Sequence, residues 1–338
     1  MKTIQLVDNF SLNNLKIVEQ LKPQPTEKQV LVKIEAVSLN YVDLLVIKGL
    51  LNPNLSLPYI PVCDGAGIVE RVGEEVTAFK PGDKVSTTFI PDWINGKPTT
   101  RTTDYQTRQG LGNISGQLSQ YKCFSANQLI SLPSNLTTIE ASTLPIAGLT
   151  AWNALSYSNL KANDTVLLQG TGGVSIFALQ FAKALGAKVI ITSSSDEKLE
   201  KAQKLGADIV INYKNDRDWE TTVRNMTQGY GADIVIETVG GSNIRRSLKA
   251  LRMGGHISVV GLLDGFESNI DVLSLLHQQA TIRGLEVGGT HQFEAMNREI
   301  ESLDIHPIID RIFPVEQTQE AFEYLKRGLH LGKVVISF

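Results

Sequence analysis

The second half of the chain alternates between two hydrophobic periods. "TVLLQG", Thr165–Gly170, is a short apolar run closed by glycine, as a buried strand is. "SIFALQFAKALG" follows with apolar residues at helical spacing, and "KVIITS" returns to a strand pattern. "DEKLEKAQKLG" places acids early and lysines late, the arrangement a helix dipole favours. "DIVINY", "DIVIETVG" and "GGHISVVG" are three more β-branched runs separated by amphipathic stretches, and "TIRGLEV", Thr281–Val287, is the sixth. Strands alternating with helices of that length predict crossover connections and a parallel, doubly wound α/β sheet.

The residues before about position 125 pattern differently. "QVLVKIEAVSLN" and "DGAGIVERVG" alternate with a period of two and are broken by Pro and Gly, and "FKPGDKV" turns into a strand. This predicts an all-β, barrel-like unit with non-local pairings. Residues 88–117 form a long polar segment rich in Thr, Gly and Asn, a length that marks functional or mobile loops. After Val287 a helix is predicted over "HQFEAMNREIES". The closing strand "GKVVISF" is expected to return to the first unit.

Composition narrows the classes. A chain of 338 residues favours about two domains, and 42% hydrophobic with 20% charged residues is ordinary for a soluble protein. A net charge of -3 without a basic cluster gives no reason to expect nucleic acid as partner. No apolar run reaches the ~18–20 residues that span a bilayer, and "MKTIQLVDNF" is charged where a secretory signal is apolar. No membrane association and a cytoplasmic location are therefore expected. Cys63 and Cys123, the two cysteines, make neither a disulfide framework nor a metal cluster.

The strongest local signal is "QGTGGVS", Gln169–Ser175. Glycine at Gly170 lets the chain turn sharply off a strand. Gly172 lets backbone amides approach a pyrophosphate at the positive end of the next helix. The third position of this fingerprint is Ser175, where Gly or Ala is usual. A strand before, a helix after and a second strand beyond supply the context for a dinucleotide site. Gly173 and Val174 complete the bend, and Gly261, closing "GGHISVVG", is a further cofactor-binding candidate. An NAD reader carries Asp or Glu at the end of the second strand, but here Ser193 stands, followed by Ser194 and Ser195. Hydroxyls donate to a phosphate and Lys198 neutralises it, so NADP(H) is favoured over NAD(H). Ser194 and Glu197 also read as a capping box for the next helix, and both readings can hold.

With "VSLNYVDLLVIKG", "PVCDGAGIVERVGEEVTAFKPGDKV", "LPIAGLTAWNAL", "LLQGTGGVSIFALQFAKALGAKVI" and "GKVVISF", the chain resembles the medium-chain dehydrogenase/reductase superfamily over nearly its full length. The resemblance implies a GroES-like β-barrel catalytic domain from residues 1–125 and 288–338, and a Rossmann domain over 126–287. The barrel would then form the substrate half of a cleft. Zinc alcohol dehydrogenases of this superfamily hold a catalytic metal at positions that here are Asn40, Cys63 and Ile146. One thiol cannot supply three ligands, and the long loop lacks the cysteine cluster of a structural zinc, so no metal is expected. The zinc-independent quinone-oxidoreductase-like members and a group labelled alcohol dehydrogenase share the Asn40-x-x-Asp43 arrangement and a Gly-Leu-Thr-Ala turn, Gly148 to Ala151. By that likeness Thr150 contacts the cofactor, Tyr213 lies near the adenosine phosphate and Lys333 approaches the pyrophosphate. Some reductases of the group use a tyrosine just beyond this stretch, but "KGLLNPNL" has none. A homodimer through "TIRGLEV" is also implied.

Hydride transfer to a carbonyl, quinone or conjugated alkene leaves negative charge on oxygen. Without zinc that charge must be met by aimed donors. The candidates are the amide of Asn40, the phenol of Tyr41 and the cofactor ribose. Asn40 has the strongest case by position, as a substrate or nicotinamide contact; read blandly it satisfies a buried backbone group. Tyr41, at the end of an alternating β segment, reads more readily as packing. Asp43 either moves a proton or orients its neighbours. Cys63 reads mainly as a small hydrophobe, Asp64 as the pin of a turn, and Arg101 and Arg108 as solvated loop charges. His256 and His277 do not fit a catalytic histidine, and His291, His306 and His330 show no ligand spacing. The reading is an NADP(H)-dependent, metal-independent oxidoreductase acting on a small, largely apolar alcohol, aldehyde, quinone or enone. A non-catalytic nucleotide-binding sensor or structural protein is the alternative.

Overall fold

The computed structural model describes residues 1–338, which divide into two units, Met1–Leu149 with Val287–Phe338, and Thr150–Glu286. Residues 126–149, placed with the second unit by sequence, belong to the first, because their strand pairs there. The chain opens with an antiparallel pair, β1 (Lys2–Leu6) and β2 (Leu15–Glu19). β3 (Gln29–Leu39) buries Val30, Leu31, Val32 and Ile34. It does not run on into Tyr41. The chain turns at Asn40 into α1 (Tyr41–Ile47), because the Asp43 carboxylate accepts the Asn40 N–H at 2.7 Å and Leu44 to Ile47 are all buried. β4 (Asp64–Val72), β5 (Lys84–Thr87), β6 (Tyr121–Ser125), β7 (Leu129–Ser131) and the short α2 (Thr138–Ala141) follow.

The second unit contains α3 (Leu149–Tyr157), β8 (Thr165–Gln169), α4 (Gly173–Ala184), β9 (Lys188–Ser193), α5 (Asp196–Lys204) and β10 (Ile209–Asn212). It continues through α6 (Trp219–Met226), β11 (Ala232–Glu237), α7 (Asn243–Ala250), β12 (Leu251–Val259), α8 (Val272–Gln278) and β13 (Thr281–Gly284). The six strands lie parallel in the order β10-β9-β8-β11-β12-β13. That is the doubly wound order, reversing between β8 and β11, the point at which ligands of such sheets generally bind beyond the carboxyl ends of the strands. The sixth strand stops at Gly284, short of Val287. Leu167, Ile190, Val235 and Ile257 form the sheet's core, covered by Trp219 and Leu248 from the helices.

The chain then returns to the first unit through α9 (Thr290–Ser302), β14 (Ile309–Pro314), α10 (Thr318–Lys326) and β15 (Lys333–Ser337). Its sheet runs β14-β15-β3-β4-β5-β7, with β6 also on β3. β3 pairs along its length with β4, β6 and β15, and two register shifts in the β3–β4 ladder bend it enough to serve all three. β15 is antiparallel to β3 with Val334 opposite Leu39. That register sets Lys333 beside Asn40.

Candidate active site

The glycine bend has the form its sequence predicts. Gly170 sits at φ +71, a conformation costly to any residue with a Cβ, and turns the chain off β8. Gly172, the N-cap of α4, has an extended backbone open to any residue (φ -78, ψ -176). A Cβ at either position would meet no protein atom within 4 Å. The glycines therefore leave space rather than relieve a protein clash, at the end of a helix whose first N–H groups lack intrahelical partners. Ser175 explains its own departure from the pattern. Its Oγ donates to the Gln169 carbonyl at 2.7 Å and is 2% exposed, so it staples the helix to the strand where a missing side chain would otherwise allow close packing.

At the end of β9, Ser193 is buried, and its carbonyl accepts the backbone N–H of Tyr213 at 3.1 Å. The helix that follows is capped by Ser195, not Ser194. Ser195 Oγ accepts the Lys198 N–H at 3.4 Å, because α5 begins at Asp196, one residue later than a Ser194 cap requires. Ser194 is thus released from that duty. Tyr213 is 42% exposed. Gly261 lies against Thr238, where a Cβ would sit 1.8 Å from the carbonyl oxygen, so it serves close backbone packing. Residues 148–151 are helical rather than a turn, and Thr150 is buried in the first turn of α3.

The first unit holds a second assembly, made of side chains. Asn40, at the β3–α1 junction, donates its Nδ2 to Asp64 Oδ2 at 2.7 Å and accepts Lys333 Nζ on Oδ1 at 2.6 Å. A carboxylate only accepts and an ammonium only donates, so the amide orientation is fixed. Lys333 also donates to the Leu39 carbonyl at 2.8 Å and lies 3.8 Å from Asp64. Asp43 accepts the backbone N–H groups of Asn40 (2.7 Å) and Cys63 (3.0 Å). Asp43, Cys63 and Asp64 are fully buried, and Lys333 is 3% exposed. Burial pushes Asp64 up to about 7 against the opposing pull of Lys333 and Asn40, and it lowers Lys333 against the pull of both aspartates. Burial likewise raises Asp43, and it raises the Cys63 thiol well above the ordinary range, helped by the two carboxylates.

Several expectations change here. Asn40 is committed to Asp64 and Lys333, and Asp43 to backbone, so both orient their surroundings. Lys333, which the resemblance sets near the pyrophosphate, is buried beside Asn40, where the β3–β15 register brings it. Asp64 opens β4 rather than pinning a turn. Tyr41 is not packed into a sheet: it is the first residue of α1, is 44% exposed and makes no hydrogen bond through its phenol. Arg108 is not solvated either. It is 7% exposed, donates to the Thr103 carbonyl at 2.9 Å and lies over the Tyr105 ring. The long loop is held down by buried glutamines. Gln109 Nε2 donates to the Thr88 carbonyl at 2.6 Å, and Gln117 Nε2 donates to Gln109 and to the Cys63 carbonyl. Beneath it Val62, a β-branched residue, is forced to φ +77, strain of about 1–3 kcal/mol held beside Cys63.

The three positions aligned with catalytic metal ligands do not fit zinc. Asn40 has its amide oxygen taken by an ammonium, Cys63 holds its proton tightly under Gly110, and Ile146 offers hydrocarbon. No group of three His, Cys, Asp or Glu side chains is placed to hold a metal ion.

A doubly wound sheet with this bend, joined to a β unit completed by the chain's last strand, is the architecture of the medium-chain dehydrogenase/reductase superfamily, and the chain belongs to it. The family model "Alcohol dehydrogenase GroES-like domain" matches residues 26–134, and "Zinc-binding dehydrogenase" matches residues 173–302. A zinc-type alcohol dehydrogenase-like protein of Schizosaccharomyces pombe is 44% identical over 333 residues, covering 94% of this chain and 95% of that one. The crystal structure of an NAD-dependent alcohol dehydrogenase superposes with a TM-score of 0.89 at 29% identity, covering all of both chains. The Escherichia coli quinone oxidoreductase, solved with NADPH, superposes with a TM-score of 0.84 at 25% identity and the same coverage.

Asp64 and Lys333 were missed as partners, as was the polar group around Glu237 described below. No local signal marks either. Asn40 and Lys333 stand 293 residues apart in sequence, and only the β3–β15 ladder joins them.

Proposed function

We propose that the protein is an NADP(H)-dependent oxidoreductase of the alcohol dehydrogenase/quinone oxidoreductase type, working without a metal ion. Its substrate is read as a small, largely apolar alcohol, aldehyde, quinone or enone. The observation that carries this reading is the open bend at Gly170 and Gly172 on a doubly wound sheet whose second strand ends in Ser193. A carboxylate there would bind the ribose hydroxyls and repel a 2′-phosphate, whereas hydroxyls donate to it. One relative was solved with NADPH and another is NAD-dependent, so the likeness supports a dinucleotide and the residues at β9 select the phosphorylated one.

Bound there, the dinucleotide supplies the hydride and accepts it back. Gly170, Gly172, Gly173 and Val174 would give the pyrophosphate backbone N–H groups and room. Ser193, Ser194 and Lys198 would hold the 2′-phosphate, and Tyr213, Thr150 and Gly261 would serve the rest of the cofactor. Tyr41 is assigned as the donor to the substrate oxygen, since its phenol is free while Asn40 and Asp43 are occupied in orienting the β3–α1 junction. The protein is read as cytoplasmic, and no helix is long and apolar enough to cross a membrane. A homodimer through β13 is proposed. That strand is an open sheet edge, and the segment leading to it exposes Leu263, Phe266, Leu273 and Leu276.

Titration with NADPH and NADH, followed by a panel of quinones, enones and aldehydes, tests the reading. Tighter NADPH binding with cofactor oxidation above background is expected. Tight binding without turnover on any of them would favour a nucleotide sensor, and preference for NADH would remove the role given to Ser193. Ser193→Asp should reverse the preference.

A further inference from the structure

Beneath the glycine bend lies a buried carboxylate that no motif announces. Glu237 ends β11 and is fully buried. Its Oε1 accepts the backbone N–H groups of Val239 and Gly240, each at 2.9 Å, and Asn243 Nδ2 at 3.2 Å. Its Oε2 accepts Asn243 Nδ2 at 3.0 Å and the Ser247 hydroxyl. All these partners are neutral. A buried carboxylate without a cation is held only where donors converge on it, and here they come from the turn after β11 and from α7.

The same donors lead to the bend. Gln169, the last residue of β8, gives its Nε2 to Ser247 Oγ at 2.6 Å and takes Asn243 Nδ2 on Oε1 at 3.0 Å. Its own carbonyl accepts Ser175 Oγ at 2.7 Å and Thr238 Oγ1 at 2.8 Å. The next residue is Gly170. The Glu237 backbone carbonyl accepts the N–H groups of Val260 (2.9 Å) and Gly261 (3.2 Å). One residue thus ties together the segments that leave β8 and β11, the two strands at the sheet's reversal, and the neighbouring β12.

We propose that Glu237 is a positioning residue for the dinucleotide: through Asn243, Ser247 and Gln169 it fixes the Gly170–Ser175 bend at which the pyrophosphate is to be held. The inference rests on the reading of that bend as a dinucleotide site. It deepens that reading by explaining a choice electrostatics alone would oppose, a negative charge kept under an anion-binding loop. A glutamine cannot replace it, because its amide would turn a donor toward donors that already converge.

The test is equilibrium titration of NADPH and NADH, with thermal unfolding, for the full-length wild type, Glu237→Gln and Gln169→Leu. Gln169→Leu leaves Glu237 its backbone donors and cuts only the link to the bend, so it stands in if Glu237→Gln does not fold. The expected result is about tenfold weaker binding of the preferred dinucleotide in each variant that folds, even though Glu237→Gln removes a negative charge. Unchanged or tighter binding in Glu237→Gln, with or without a fall in melting temperature, would overturn the proposal while leaving the dinucleotide reading intact. Unchanged binding in Gln169→Leu would do the same. A wild type that binds neither dinucleotide would overturn both.

Discussion

The molecule contains two buried polar assemblies, one in each unit, and they are built on opposite principles. In the first, Asp43, Asp64 and Lys333 bring three ionisable groups together around one amide, with two potential negative charges for one positive. In the second, Glu237 alone carries charge and is held by neutral donors. The first orients side chains at the start of a helix. The second shapes backbone and leaves empty space at Gly170 and Gly172. The contrast shows two ways of preparing a site: ionic groups can fix one another only by tolerating burial, whereas neutral donors fix a carboxylate with no titratable partner.

The largest effect that would sharpen this contrast is expected at Lys333. Lys333→Met removes the single cation from its assembly and leaves Asp64 and Asp43 uncompensated, a loss of about 3–5 kcal/mol in urea unfolding. Adding Asp64→Asn should restore a large part of it; equal instability of the single and double variants would show that the ion pair is not what the lysine supports. Next in size is the chemical step. Tyr41→Phe should lower kcat by about a hundredfold on any substrate found, with cofactor affinity unchanged, and a kcat within twofold of wild type would remove the phenol from the reaction.

Gly172→Ala is expected to act on the cradle alone. Its backbone suits any residue and its Cβ would touch no protein atom, so the melting temperature should hold while dinucleotide affinity falls about tenfold. A loss of stability instead would mean that the glycine serves the fold. The pH dependence of the ionic assembly sharpens the comparison further. Asp64 in the fold is raised to about 7, above its unfolded value near ~3.9, so the folded state binds the extra proton between these limits. Its contribution is present below pH ~4 and is lost as pH rises toward 7. Wild-type stability measured relative to Asp64→Asn should therefore fall across that window, and a flat difference would place the proton elsewhere.

How much of this was readable in the chain follows from range. The bend from Gln169 to Ser175, the six strands and the final strand's return are local patterns, and the structure reproduces their order with small shifts at the ends, such as Gly284 for Val287 and a Ser195 cap. The helix at Tyr41–Ile47 was hidden because its apolar residues continue the preceding strand's hydrophobic run, and the Asp43 contact to the Asn40 N–H that begins it has no distinct period. Arg108 looked like a loop charge because nothing nearby in sequence shows that the Thr103 carbonyl and the Tyr105 ring enclose it.

By itself the sequence determined the alternation of strands and helices and the glycine bend. Each of these is a property of residue type at short spacing, where backbone sterics and hydrophobic period act directly. Only the tertiary structure decided that Lys333 meets Asn40 and that Glu237 reaches Gln169. Those contacts depend on strand register and sheet order, which join residues far apart in the chain, and a charge or amide in sequence carries no mark of the partner that folding will bring to it.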